Sequence, residues 1–551
     1  MATESVAAPT VADRGLKRHV GPIGLAWASE GSIIGSGWLF GAFLAAQSAG
    51  TAALLAWIGT ALVFMVLALI HSELGAMYPV SGGTARFPHY AFGSLAGASF
   101  GWFSWLQAVT VAPIEVLATI SYGSVHLTWL THTVGTGANA SQQLTAAGYG
   151  VAVALMAIFT IINFLGIRWL AHTNSTFTWW KIFVPVLLII VFASTHFHGS
   201  NFGSHGGFAP YGAKGVFAAV STAGVAFALL GFEQADQLAG ESRNPQRDIP
   251  RAIIGAMILG ALIYVLLQVV FIGALPASAL THGWAALAFK GDAGPFAGLS
   301  TLIGLGWLAT VLYIDAIVSP GGTGLIYVTS TSRISYGLSR NGYVPEIFES
   351  TDRRGVPWFG LLFTFIMSLI LFLPFPSWHQ LVSFITSATV LMYAGAPLAL
   401  GALRKQVPDA RRPFRLSAAG FWSPLAFILA GLIIYWSGWP TIWRLGVALL
   451  IGYVLIGINA AFKLNKRMPR FDRAQWKAAS WLPVYLVGLG VASWQGTFGS
   501  YSAGHLHLWW DILAIAVFSL VIYYWAQAVR LPDAEARELI RMQAAPVESE
   551  G

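Results

Sequence analysis

Long apolar runs, separated by short polar ones, fill almost the whole chain. About 20 consecutive apolar residues suffice for a helix to cross a bilayer. Fourteen such runs can be marked out: 20–47, 51–78, 92–121, 147–168, 175–196, 215–239, 251–275, 298–332, 357–375, 380–403, 421–439, 441–463, 481–497 and 508–529. The thirteenth is the weakest. The pattern predicts an all-α integral membrane fold with connections of at most tens of residues. That leaves no room for a separate soluble domain. The first 20 residues are polar and lack the apolar stretch of a signal peptide. The end beyond Leu531 is polar too, with one surface helix expected around Asp533 to Met542.

Two runs are interrupted by glycine. Gly31-Ser32-Ile33-Ile34-Gly35-Ser36-Gly37 cuts the first, and Phe227-Ala228-Leu229-Leu230-Gly231-Phe232-Glu233 lies inside the sixth. A broken membrane helix frees backbone groups that hydrocarbon cannot satisfy, so a break is tolerated only where it lines a cavity or is buried in protein. Breaks in corresponding halves of a chain point to a transporter's binding site. The freed N–H groups after the first break carry the positive end of a helix dipole and suit a carboxylate. Gly31 and Gly35 also spell the small-residue spacing of close helix packing, a competing reading of the first break alone.

Composition sharpens the class. Apolar residues make up 56% of the 551 and charged residues only 9%, against roughly 25% charged in soluble domains. The net charge of +8 invites a nucleic-acid reading, but membrane proteins concentrate Lys and Arg in their cytoplasmic loops. With the fourteen runs in place, Lys214, Lys290 and Arg444 fall on one side, Lys181 falls within a span, and the other 26 of the 30 basic residues share the opposite side. A wrong span count would invert every later loop. Both ends are therefore expected in the cytoplasm. Trp509, Trp510, Tyr523, Tyr524 and Trp525 sit at run ends, as interfacial aromatic belts do. Cysteine is absent, which excludes disulfides and thiolate chemistry.

Ionisable residues inside spans are costly and therefore candidates for function. Lys181 lies about two helical turns into the fifth run. It could be a fixed cation, a titrating group, or a side chain snorkelling to the interface. Glu30 precedes the first break and could meet a substrate amine, carry a proton, pair with Lys181, or face water. Glu233, with Asp236 one turn later, could gate, carry protons, or pair with loop arginines. Asp315 stands in the eighth run, before a Ser319-Pro320-Gly321-Gly322 stretch read as a further helix disturbance. Glu115 follows Pro113 in the third. Glu73 and His71, near the end of the second, read as anchoring or pairing residues. The pairs His196/His198 and His505/His507 lack companion ligands and make weak metal sites. No metal and no cofactor beyond the proton is expected. No Walker, GxSxG or HExxH sequence occurs, which argues against ATP-driven pumping and hydrolysis.

Three stretches resemble the amino acid–polyamine–organocation superfamily of permeases. They are Gly31–Gly37, then Gly231-Phe232-Glu233 with Ala239 to Ala252, and Ser332 to Gly342 continuing through Pro345 and Gly355-Val356-Pro357. Within that superfamily Leu305 to Thr310, Asp315-Ala316-Ile317, Ser319 to Gly322 and Tyr435 to Trp439 are similar to the bacterial aspartate–proton symporter group. The resemblance implies an inverted five-helix repeat (5+5) with broken helices 1 and 6. It implies alternating access around a site between those helices, and a fifth-helix lysine, here Lys181, in the place of a sodium ion. Glu30 departs from the family's usual neutral residue.

The expected organisation is a tail over 1–19, a transporter core over 20–403 (spans 1–10), accessory spans over 404–529 and a tail over 530–551. The expected function is import of an amino acid, acidic by preference, by proton symport across the inner membrane; the chain is not an enzyme. Neutral amino acids or polyamines remain alternative substrates, and a transporter-derived sensor a remote alternative. The expected substrate-binding residues are Ser32, Ile33, Ile34, Gly35, Ser36, Gly37, Phe227, Ala228, Leu230 and Gly231. Those expected to couple protons are Lys181, Glu30, Glu233, Asp315 and Glu115. The partners implied are a small amino acid and the lipid bilayer, with no nucleic acid and no stated oligomer.

Overall fold

The computed structural model describes residues 20–80, 83–134, 141–165, 167–469, 471–498 and 507–544. The tail over 1–19, the end over 545–551, and Arg470 lie outside the described residues. Ten helical stretches among those described are long and apolar enough to cross a membrane. The first predicted run is a pair, α1 (Pro22–Ile33) and α2 (Gly37–Ala49), followed by α3 (Ala53–Met77). A short α4 (Gly83–Phe92) leads to α5 (Ser94–Gly123), then α6 (Ala146–Leu165) and α7 (Ile167–Thr195). An antiparallel hairpin of β1 (Thr131–Val134) and β2 (Ser141–Leu144), registered Thr131 to Leu144, closes the connection from α5 to α6.

The sixth run is cut into α8 (Gly212–Ser221), α9 (Val225–Ala228) and α10 (Gln234–Gln237). Then follow α11 (Pro245–Ala274), α12 (Pro295–Leu302), α13 (Gly306–Arg340), α14 (Trp358–Leu371), α15 (Trp378–Tyr393) and α16 (Gly395–Gln406). The remainder is α17 (Ala419–Trp436), α18 (Trp439–Phe462), α19 (Arg473–Ala479), α20 (Trp481–Gln495), α21 (Leu508–Val529) and the surface helix α22 (Asp533–Ala544).

The centre is α5, buried almost throughout and packed against α13 and α15. At the rim, α18 leaves most of its apolar surface outward, with Leu450 and Phe462 exposed, as a lipid-facing helix does. The eighth run differs from expectation in two ways. It splits at residues 303–305, after α12, where Gly304 takes a φ of +82°. Its Pro320 does not break α13, which continues to Arg340. Proline removes the bond its N–H would make to the carbonyl four residues back. That carbonyl, on Ala316, instead accepts from the Thr119 hydroxyl of α5 at 3.0 Å. A Thr119→Val variant, which keeps shape and loses the donor, should lower stability by about 1–2 kcal/mol, read as a lower melting temperature of the detergent-purified protein. Unchanged melting would show that the carbonyl is satisfied otherwise.

Two further ties matter for the site. Val20 N–H donates to Glu241 O at 3.0 Å and Arg243 N–H to Val20 O at 2.9 Å, so the lead-in to α1 is bridged to the loop after α10. At the end of α3, the fully buried Glu73 accepts from Arg404 Nε at 3.0 Å and Nη2 at 2.6 Å, and from the Leu416 amide at 2.7 Å. Arg412 adds a third cationic nitrogen at 3.3 Å.

Candidate functional site

The first break is shorter than the glycine pattern predicts. Ile34 N–H still donates to Glu30 O at 2.9 Å, so α1 keeps Gly31, Ser32 and Ile33, and only residues 34–36 are unwound. The released Ile34 carbonyl is met by Ser319 Oγ at 3.3 Å and that of Ile33 by Tyr264 OH at 2.8 Å. The sixth helix breaks twice rather than once. Gly224 (φ +88°) and Gly231 (φ +118°) adopt backbone conformations natural to glycine, leaving one isolated helical turn, α9, between them. Here the two breaks meet: a Cβ on Gly37 would stand 2.7 Å from Ala228 Cα. Nothing larger than hydrogen fits at residue 37.

Between the breaks lies a narrow cavity with about 10 Å3 of free space. Gly35 and Gly37 of the first break and Phe227 and Leu230 of the second line it, together with Ser32 and Ile33. Helix α5 adds Gln107, Val111 and Glu115, spaced four residues apart on one face; α13 adds Thr323 and Tyr327, and α15 adds Ile385. The lining holds one carboxylate and no cationic side chain. At one end Glu115 Oε2 accepts the Ser36 N–H at 2.9 Å. The indole of Trp378 closes that end, donating to Ser36 Oγ at 2.9 Å and lying 4.6 Å from the ring of Phe40 and 5.8 Å from that of Phe227.

Lys181 is buried just behind the cavity. Its Nζ donates to Gly31 O at 2.7 Å and to Thr323 Oγ1 at 2.6 Å. Glu115 and Asp315 are the acids whose charges bear on it. Gly322 explains the Pro-Gly-Gly stretch: a Cβ there would come 3.1 Å from Lys181 Cε, so the stretch is a groove for the lysine stem and not a helix break. Asp315 is fully buried beside the indoles of Trp38 and Trp180.

At the other end Ser32 Oγ donates to Tyr327 OH at 2.7 Å, and Tyr327 OH donates to Glu233 Oε1 at 3.3 Å. The Tyr393 hydroxyl holds the second oxygen of Glu233 and accepts Gly231 N–H at 3.2 Å. Glu233 is thus bound to two tyrosines and not to loop arginines. Asp236 lies fully buried against Gly75, its carboxylate without a hydrogen-bond partner.

Several expected residues stand outside the lining. Ile34 and Ser36 belong to the unwound turn but are held from behind, Ala228 packs on Gly37, and Gly231 packs on Ser32. Glu30 is buried with no hydrogen-bond partner; it faces Gly260 and Tyr264 of α11, while Lys181 turns to Gly31 and Thr323. Conversely, Gln107, Val111, Thr323, Tyr327, Trp378 and Ile385 lie outside the set that the sequence marks by glycine or charge. A signal was present. Gln107 and Glu115 are eight residues apart in one apolar run, and Ser319, Thr323, Tyr327 and Thr331 recur at intervals of four, one face of a helix.

A cavity enclosed by interrupted helices, inside a multi-pass membrane protein, is the architecture of a transporter. A model of the amino acid permease family matches residues 20–456. The chain is similar to the glutamate/serine transporter AimA of Bacillus subtilis, 38% identical over 93% of this chain and 94% of that protein. It is 37% identical to the aspartate-proton symporter of the same organism, over 92% of this chain and 95% of the relative. The branched-chain amino acid permease BcaP, again from that organism, is 27% identical over 82% and 95%. The chain belongs to the amino acid permeases, within the amino acid–polyamine–organocation superfamily. It is a transporter and not an enzyme.

Proposed function

We propose that the protein imports amino acids with protons across the inner membrane of its cell, with both ends in the cytoplasm. In this reading it has fourteen spans, of which α1–α7 and α8–α16 form two inverted five-span repeats. The observation that carries the proposal is the meeting of α2's first turn, the α9 turn, Glu115 and Lys181 around one small cavity. The first N–H groups of α2 have no partner within the helix and suit a substrate carboxylate. The carbonyls ending α9 suit its amine. The free space of about 10 Å3 holds no more than a single water, so in this reading a substrate enters only as the two breaks part, which is what alternating access supplies.

Proton coupling follows from competition. A substrate carboxylate arriving at Ser36 meets Glu115 already there. Two carboxylates cannot share one amide while both are charged, so substrate entry favours a protonated Glu115. Lys181 binds the Gly31 carbonyl and so ties the state of this charge cluster to α1. Asp315 supports the lysine, and Glu233, reached through Tyr327, is a second place for a proton. Glu30 faces α11, away from the substrate, and takes no part in binding it. Acidic amino acids are favoured because 37–38% identical relatives carry glutamate, serine or aspartate in their names. A second reading, a small neutral polar substrate, is favoured by a lining without cations.

Purified protein in proteoliposomes tests this. An inside-alkaline gradient should drive accumulation of labelled aspartate, glutamate or serine, and a protonophore should collapse it. Accumulation that survives the protonophore and follows sodium would overturn proton coupling.

A further inference from the structure

We propose that Gln107 reads the substrate's side chain: its Nε2 donates to a side-chain oxygen, whether carboxylate, amide or hydroxyl, and so selects oxygen-bearing amino acids over their apolar isosteres. This rests on the transport reading above and assigns the specificity of the same cavity.

The argument is an account of protons at the end of the cavity away from Glu115. Ser32 spends its hydroxyl proton on Tyr327, and Tyr327 spends its own on Glu233. Gln107 is only 3% exposed and leans toward the Tyr327 hydroxyl, whose own proton goes to Glu233, without its Nε2 making a hydrogen bond of normal geometry. A buried amide donor left unpaired costs stability, and its retention in the lining calls for a partner that arrives with the substrate. Val111, Leu230 and Ile385 line the same cavity and offer no polar atom of their own side chains. Gln107 is eight residues from Glu115, about 12 Å along the helix at 1.5 Å per residue. That separation places substrate main-chain groups at the breaks and the side-chain end at Gln107. A donor without positive charge serves a hydroxyl, an amide or a carboxylate alike. It needs no lysine or arginine, and the lining has none.

Ligand-induced thermal stabilisation and uptake by the full-length protein, read as ratios within each variant, test the proposal. The pairs are serine against alanine, threonine against valine and asparagine against leucine. In Gln107→Leu, preference for the oxygen-bearing member should fall about tenfold to a hundredfold, with the apolar member held or improved. Gln107→Asn retains the donor but withdraws it by one methylene. It should favour glutamate over aspartate relative to the parent, and it serves where the Leu variant does not fold. Selectivity ratios equal to the parent's in either folded variant would overturn the assignment while leaving amino acid transport intact. Absence of amino acid uptake by the parent would overturn the transport reading itself, and ligand stabilisation ratios would still report on Gln107.

Discussion

Replacing Lys181 by Ala is expected to abolish gradient-driven accumulation while exchange of substrate across the membrane persists. Lys181 is 1% exposed, and its Nζ is held by the Gly31 carbonyl and the Thr323 hydroxyl. Gly31 lies in the last turn of α1, and Thr323 and Glu115 line the cavity. The lysine therefore binds the last turn of α1 directly, while its charge bears on Glu115 in the cavity lining. Removing it leaves Glu115 and Asp315 without a compensating charge, and breaking a buried charge arrangement by deleting one partner costs about 3–5 kcal/mol. Those acids would take up protons permanently, which severs proton movement from substrate movement but leaves the cavity. Gradient-driven uptake should fall to equilibration, with counterflow and ligand-induced thermal stabilisation retained. Lys181→Arg should not restore accumulation, because a guanidinium does not release its proton. Wild-type accumulation by the Ala variant under the same gradient would remove Lys181 from the coupling mechanism.

Glu73→Ala should produce the largest loss of stability. This carboxylate is fully buried and receives two nitrogens of Arg404, one of Arg412 and the Leu416 amide. It fastens the end of α3 to the end of α16 and to the segment leading into α17. Arg412's side chain is only 8% exposed and Arg404's 23%, so deletion strands two guanidinium groups with little water to replace their partner. The cost expected is about 3–5 kcal/mol, read as a melting temperature several degrees lower. Glu73→Gln keeps an oxygen for the Leu416 amide and should fall between Ala and wild type. An Ala variant that melts with the wild type would show that water reaches both arginines readily.

How far the sequence could be read follows from what each feature depends on. Apolar runs depend on local composition, so the helices fall where the runs are, from α3 to α21. Breaks depend on backbone freedom, which glycine announces but does not delimit. The sequence of the first run predicts unwinding from Gly31, whereas hydrogen bonding carries α1 to Ile33. Pro320 looks disruptive in one dimension, and only the neighbouring Thr119 reveals why α13 passes through it. The same limit governs the cavity. Gly35, Gly37, Phe227 and Glu115 reach it from runs already marked by glycine or charge. Gln107, Tyr327 and Trp378 do not advertise themselves, because which face of a helix looks inward is set by its packing partners. Glu30 carries the same charge as Glu115 yet points to α11, a difference of rotation about a helix axis that the order of residues leaves open.

The bridge at Val20 has a mechanical consequence. Backbone bonds in both directions join it to the loop after α10, and Ser29 Oγ, nine residues further on within α1, donates to Phe232 O at 2.9 Å and accepts from Ala235 N–H at 3.2 Å. Stapled at both levels, α1 and α10 cannot swing independently. Any tilt of α1 about residues 34–36 is therefore expected to carry α10 with it about Gly231 and to reach both edges of the chamber at once.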